Sequence, residues 1–267
     1  MSLKVKITAV TDIGKRKENQ DRIAIDNIIL ESHQYFVEKE IFGQTFFLVL
    51  DGMGGEQYGA MASQLAVEEF IHCTKKYLNI VTKEMILEML KNINDKISDF
   101  LRSKYAEGGT TFSLVVLNEI GYIEFYNIGD SPIVYMDEKS AIVLSEDQSL
   151  AGMKLQYGMI TEAEYAISKE KSILMAYLGD HTNKSLQKIY YNSYRCRQGS
   201  RIIMCTDGIT DVLSIREIHK ILYDEQKDII ELINQVKKEP ECDNMSIIDI
   251  VIQGGGLVEN SDVQTES

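Results

Sequence analysis

What this chain lacks narrows its class before any motif is read. Basic residues are in the minority, 28 Lys and Arg against 41 Asp and Glu for a net charge of -13. No basic stripe runs along it, which excludes a phosphate-backbone binder such as a nucleic-acid protein and favours a metal ion or a cationic partner. Cys73, Cys196, Cys205 and Cys242 show no C-x-x-C spacing. Neither a zinc knuckle nor a disulfide framework is indicated, and a reduced, cytoplasmic setting is the expectation. His33, His72, His181 and His219 form no helical pair, so none reads as a metal ligand. No stretch approaches the roughly 18 apolar residues of a membrane span, and the first residues lack the apolar core of a leader peptide. Only two prolines occur, and no Pro/Ser-rich linker interrupts a chain that is 44% hydrophobic. One domain over residues 1–253 is therefore expected, with residues 254–267, which have no periodicity, as a disordered tail.

What is present gathers around Leu48-Val-Leu-Asp51-Gly-Met-Gly-Gly55. The apolar run Phe46 to Leu50 reads as a buried strand that stops at an acid followed by three glycines in four residues. A carboxylate on a strand terminus is held in position, and Gly52 lets backbone approach a ligand and offer a carbonyl oxygen to a cation. An isolated Asp-Gly is more often a turn that merely ends a strand. Repetition changes the odds: apolar runs end in acids again at Ile128-Gly-Asp130 and Met204-Cys-Thr-Asp207-Gly208, and another strand starts from Asp243-Asn-Met-Ser246.

In chain order, Leu3 to Val10 alternates as a strand with one face in water. Asp12 to Asp21 is a polar loop, open to two readings: a solvated connection, or a site where Arg16 presents a planar fork to phosphate and Asp21 an oxygen ligand. Ile23 to Leu30 reads as one strand, Ser32 to Glu40 as a hairpin tip, and Ile41 to Leu50 as the strand ending at Asp51. Helices are predicted from Tyr58 to about Tyr77 and, with Thr82 as N-cap, through Lys104. Phe112 to Leu117 pairs with Tyr122 to Ile128, and Ser131 to Met136 and Ala141 to Leu144 continue the meander. Residues 148–182 are polar and helical, with a capping box at Thr161-Glu-Ala-Glu164, and read as an insertion. Strands return at Gln187 to Tyr191 and Arg201 to Cys205. Ser214-Ile-Arg-Glu217 caps another helix, a further one carries Ile229 to Val236, and the apolar strand Met245 to Ile252 is central. This order predicts an α+β fold of antiparallel sheets covered by segregated helices. Strand ends of packed sheets share a rim, so Asp51, Asp130, Asp207 and Asp243 converge there. Clustered carboxylates need cations, and oxygen ligands suit Mg²⁺ or Mn²⁺ over zinc.

Seven short motifs stand in one order along nearly the whole chain: Arg16-Lys-Glu-Asn-Gln-Asp21, Asp51-Gly-Met-Gly-Gly55, Gly109-Thr-Thr111, Asn127-Ile-Gly-Asp130-Ser131, Leu144-Ser-Glu-Asp147, Thr206-Asp-Gly-Ile-Thr-Asp211 and Asp243-Asn-Met-Ser246. Each alone is weak, but together they resemble the metal-dependent serine/threonine protein phosphatases of the protein phosphatase 2C (PPM) family, bacterial type. The resemblance implies a four-layer α-β-β-α sandwich, two antiparallel sheets flanked by helix pairs, with residues 148–182 as a flap beside the active site. It implies two tight Mn²⁺ or Mg²⁺ ions and a third, weaker one. Asp51 bridges the pair, the Gly52 carbonyl, Asp207 and Asp243 complete one ion, Asp21 serves the other, and Asp130 with Asp207 holds the third. A metal-bridging hydroxide then attacks phosphorus directly, without a phosphoenzyme, while Arg16 binds the phosphoryl oxygens. Phosphoserine and phosphothreonine proteins are the implied substrates, a bacterial Ser/Thr kinase among them, and a monomer is expected. The chain departs from the pattern at Gly14, spaced one residue closer to Arg16 than usual. Met53 stands where some members carry an acid-base histidine, and Gln148 stands where histidine is frequent.

Other classes fit less well. A catalytically inert binding module of this fold would have lost metal acids. A dinucleotide enzyme would need glycine where Gln57 stands. A two-metal nuclease would show basic surface.

Overall fold

The computed structural model describes residues 2–30, 35–77, 80–224 and 227–254. The strands are β1 (Leu3–Asp12), β2 (Arg22–Ile25), β3 (Ile28–Leu30), β4 (Tyr35–Ile41), β5 (Gln44–Leu50), β6 (Gly52–Met53), β7 (Gly109–Thr110), β8 (Phe112–Asn118), β9 (Tyr122–Ile128), β10 (Ile133–Met136), β11 (Ala141–Val143), β12 (Tyr190–Arg195), β13 (Arg201–Cys205) and β14 (Met245–Gly254). The helices are α1 (Gly55–Lys76), α2 (Lys83–Ser103), α3 (Leu150–Gln156), α4 (Glu162–Ala166), α5 (Asp207–Thr210), α6 (Ile215–His219) and α7 (Ile229–Val236).

Two six-stranded antiparallel sheets form, one in the order β11-β10-β13-β14-β1-β4 and the other β12-β9-β8-β5-β2-β3. Because side chains alternate across a strand, one strand serves two cores. On β5, Phe46, Leu48 and Leu50 face α1 and α2, where Phe70 meets the rings of Phe46 and Phe112 edge-on. Phe47 and Val49 face the other way, into the core between the sheets, with Ile7, Phe125, Met204 and Ile250. A third core lies outside the first sheet, where Ile203, Cys205 and Ile247 meet Ile218, Leu222, Leu232 and Val236 of α6, α7 and the π turn that follows α6. Three cores separate four layers: helices, sheet, sheet, helices. This is the α-β-β-α sandwich of the sequence reading. β14 is central, and the Thr82, Thr161 and Ser214 caps all form.

Several expected elements differ. The apolar run Ile23 to Leu30 is a hairpin, β2 and β3, turning at Asp26-Asn27 with Asp26 at φ 51. Aspartate tolerates that left-handed backbone, and its Oδ1 accepts from Phe46 N–H at 3.0 Å. Where a hairpin tip was expected, Tyr35 to Ile41 is a full edge strand on β1. Aromatic Phe36 faces water beside Glu38 and Glu40, while Lys39 turns inward to pair with Asp26 at 2.7 Å, so apolar-in, polar-out alternation is broken on both faces. Residues 31–34 of that expectation lie outside the described residues. β10 does not continue the meander of β9: the chain crosses at Gly129 to Pro132 into the other sheet. The strand expected at Gln187 to Tyr191 is shifted to β12, after a 3₁₀ turn at Ser185–Lys188. Helix α1 begins at Gly55, ahead of Tyr58. Gly254 closes β14, while 255–267 lie outside the described residues.

Candidate active site and metal centre

Registry brings the acids together. Arg22 pairs with Leu50, so Asp21 and Asp51 leave β2 and β5 at the same edge. Cys205 pairs with Ile247, which puts Asp207 and Asp243 at that edge of the other sheet. Between the two edges opens a cavity of about 390 Å³ whose lining includes Arg16, Asp51, Gly52, Asp130, Asp207 and Asp243. Asp21 lies behind it, 2% exposed. Every residue predicted for the site therefore reaches one place.

Two glycines make the approach possible. A Cβ on Gly52 would stand 2.2 Å from Gly59 O and 2.8 Å from Gln20 O, so only glycine lets the Asp51 loop lie against α1. Gly14, at φ +63, presses on the backbone of Asp243, whose oxygen would be 2.0 Å from an added Cβ. Its spacing ahead of Arg16 thus seats the first loop directly on the β14 entry.

The acids are electrostatically unfavourable as they stand. Burial, reinforced by Asp207, Asp21 and Asp130, holds the Asp51 carboxyl well above the ordinary carboxylate range. Burial followed by Asp207 and Asp147 does the same to Asp130. Asp207 is pushed up to about 6 by burial and by Asp211, against the lowering effect of a hydrogen bond with Asp51. Asp21 is pushed up to about 7, chiefly by burial. Thr206 Oγ1 donates to Asp21 Oδ2 at 2.9 Å, but Asp21 Oδ1 is buried with no hydrogen-bond partner among the described residues. Arg16 does not stand free at the rim: its guanidinium pairs with Asp243 Oδ2 at 2.5 Å. Among the described residues no three acids, histidines or cysteines are drawn into a ready-made ligand cluster. Asp51 and Asp207 crowd each other, and Asp243 bonds to Arg16. The donor set nonetheless fits a hard divalent cation, being all oxygen, with one orphaned oxygen and raised pKa values that a positive charge would reverse.

A pH consequence follows. Asp21 has a folded pKa of about 7, above the roughly 3.9 of an unfolded aspartate. The folded state binds the extra proton between those values, so its stability falls as pH rises through that window. In chelator, the melting temperature of the wild type should drop more between pH 6 and pH 8 than that of Asp21→Asn, and Mn²⁺ should restore it at pH 8. Equal slopes for the two proteins in a thermal-shift titration would contradict this.

The family model described as protein phosphatase 2C matches residues 19–240. The chain belongs to that family. A protein phosphatase 2C-type protein of Streptococcus pyogenes serotype M6 is 30% identical over 224 residues, covering 82% of this chain and 84% of that one. The solved serine/threonine phosphatase of S. agalactiae superposes with a TM-score of 0.78 at 23% identity, over 93% of this chain and 100% of the other. The catalytic domain of the protein phosphatase PstP, solved with two manganese ions, superposes with a TM-score of 0.74 at 19% identity, over 95% and 100%. As a protein phosphatase 2C, the chain is a protein serine/threonine phosphatase, a hydrolase.

Several of this phosphatase's supporting polar residues stand inside the motifs without any sign there of what they hold. Thr111 Oγ1 accepts from Asp51 N–H at 2.8 Å and lies 2.8 Å from Ser131 Oγ, tying the two acid-bearing turns together. Asn244 clamps the Arg16 loop, donating to Ile13 O and Glu18 O and accepting from Gln20 N–H. Their signal was polar residues directly beside strand-terminal acids, but no spacing rule says which backbone they will meet. The insertion is pinned to the same rim. Tyr165 O–H donates to Asp147 Oδ2 at 2.6 Å, Lys171 pairs with Asp211, and Ser172 and Leu174 line the cavity.

Proposed function

We propose that this cavity is the phosphatase centre. In this reading Asp51 would serve both of two divalent ions, with the Gly52 carbonyl, Asp207 and Asp243 for one and Asp21 for the other, and Asp130 with Asp207 would hold a weaker third. Supporting it most directly is the convergence of Asp51, Asp130, Asp207 and Asp243, from separate segments, on one cavity with Asp21 buried behind it, the pKa of Asp21, Asp51, Asp130 and Asp207 being raised. Bound there, Mn²⁺ or Mg²⁺ supplies the Lewis acidity that makes water nucleophilic at neutral pH and draws charge from the phosphoryl oxygens. The chain's own residues do the rest. Arg16 exchanges Asp243 for the phosphoryl group and orients it through paired N–H donors. Thr111 and Thr206 hold the acids' positions, and Ser172 and Leu174 wall one side of the cavity against water. The ester P–O bond breaks, the oxygen of water joins phosphorus, and the serine or threonine oxygen leaves with a proton. Among the described lining residues no histidine stands ready to give that proton.

Residues 1–253 act in this proposal as one phosphatase domain with 148–182 as its flap. The substrates are phosphoserine and phosphothreonine proteins of the cytoplasm, including a Ser/Thr kinase that the enzyme counteracts as a monomer. No helix among the described residues is long and apolar enough to cross a membrane. Phosphate release from a phosphothreonine peptide is the test: turnover with Mn²⁺ and none with excess chelator is expected. Undiminished turnover in chelator would overturn the metal assignment, and a peptide left intact under both conditions would overturn the substrate assignment.

A further inference from the structure

The turn that carries Asp130 hangs on one side chain outside the metal set. Both backbone polar groups of Gly129 end on Gln148. Gly129 N–H donates to Gln148 Oε1 at 2.9 Å, and Gly129 C=O accepts from Gln148 N–H at 3.1 Å. The other end of the same amide, Nε2, donates to Lys188 C=O at 2.6 Å, and the Gln148 carbonyl accepts from Met175 N–H at 2.8 Å. Gln148 is 8% exposed. It therefore joins three things: the Gly129-Asp130 turn, the returning limb of the insertion at Met175, and the segment leading into β12.

We propose that Gln148 is a positioning residue for Asp130, its amide bridging Gly129 N–H and Lys188 C=O so that the turn aims Asp130 into the cavity. The proposal rests on the reading of Asp130 as a residue of the phosphatase centre.

The chemistry at position 148 is narrow. Gly129 N–H can only donate and Lys188 C=O can only accept, so the bridging group needs one acceptor and one donor at fixed separation, and the amide orientation is settled by its partners. A leucine would leave both backbone groups without these partners. A glutamate would keep the Gly129 bond, lose the Lys188 bond, and add a third negative charge beside Asp130 and Asp147. A neutral imidazole carries one donor and one acceptor and can replace the amide. Gly129 itself cannot compensate. It sits at φ +101, and a Cβ there would lie 2.6 Å from Thr111 Cγ2. On the far side, Ser131 C=O accepts from Ser113 Oγ at 2.6 Å. Asp130 is thus held between two anchored neighbours, and only the Gly129 anchor depends on a side chain of the insertion's base.

The experiment combines kinetics, metal binding and melting on Gln148→Leu, Gln148→His, Gln148→Glu, Asp130→Asn and the Asp130→Asn/Gln148→Leu double variant. Removing such a supporting partner typically costs on the order of tenfold to a hundredfold. Gln148→Leu should lose that much in kcat with KM little changed, and in a Mn²⁺ calorimetric titration it should keep the tight ions and lose the weak one. Gln148→His should recover most of kcat and the weak ion, and Gln148→Glu should not. In the Asp130→Asn background, Gln148→Leu should cost little more, because both changes act through one carboxylate. Losses that simply add would overturn the proposal, as would wild-type kcat and metal binding in Gln148→Leu with only a lowered melting temperature. If Gln148→Leu does not fold, the His and Glu pair decides, equal activities overturning it. Wild-type kcat in Asp130→Asn would instead overturn the reading of Asp130 on which the proposal rests.

Discussion

Asp51→Asn should reduce turnover with Mn²⁺ by on the order of a thousandfold or more, ~4 kcal/mol of transition-state stabilisation, while leaving the protein folded. The two halves of that expectation have separate causes. The carboxylate is the acid proposed to be shared by both ions, and an amide offers less charge in the same shape. What holds the strand end in place is the backbone of Asp51: its N–H goes to Thr111 Oγ1, and its carbonyl accepts from Thr111 N–H and Thr110 Oγ1. Those bonds survive the substitution. Removing a charge crowded by Asp207, Asp21 and Asp130 should moreover raise the melting temperature in chelator. Activity and stability should move in opposite directions, which a merely disruptive substitution cannot do. Asp207→Asn and Asp243→Asn should behave alike in the assay. Near wild-type turnover of Asp243→Asn at low metal would show the binuclear assignment to be wrong.

For Arg16→Lys the expected loss is in kcat/KM for a phosphopeptide, about 1.5–3 kcal/mol, the range of a charged hydrogen bond. Charge is kept and the planar fork is not. The structure adds a second effect of opposite sign. With its guanidinium on Asp243, Arg16 competes with any cation for that carboxylate, so Arg16→Ala should tighten Mn²⁺ binding in a calorimetric titration even as it weakens turnover. The pair is largely exposed, the Arg16 side chain at 59%, so the tightening should be modest. If Arg16→Lys left kcat/KM unchanged, the phosphoryl role would pass to Lys15 or Lys17, its neighbours on the same loop.

How much of this could be read without coordinates depends on the range of the interaction involved. Strands with a solvent face or a continuous apolar run, such as Leu3 to Val10 and Met245 to Ile252, announce themselves through side-chain periodicity, a property of a few adjacent residues. So do the caps at Thr82, Thr161 and Ser214. Strand β4 did not, because an edge strand is made by its pairing with β1 and its outward residues are free to be polar. The β2–β3 turn was hidden by apolar residues on both sides of Asp26. The crossing at Gly129 to Pro132 was hidden because either sheet could have received β10, and the choice is made by packing over the core between the sheets.

The sequence by itself determined the chemistry available: strand-terminal acids at Asp51, Asp130, Asp207 and Asp243, glycines beside them, no histidine pair, no basic stripe, and the ordered motifs of a protein phosphatase 2C. These are identities and near neighbours, and identity does not depend on the fold. Tertiary structure alone decided the partnerships. It placed Arg16 on Asp243, buried Asp21 with one oxygen unpaired among the described residues, set Gly14 against the Asp243 backbone, and hung the Asp130 turn on Gln148. Each joins segments far apart in the chain or sets a degree of burial. Both depend on how two sheets stack, which no local pattern encodes.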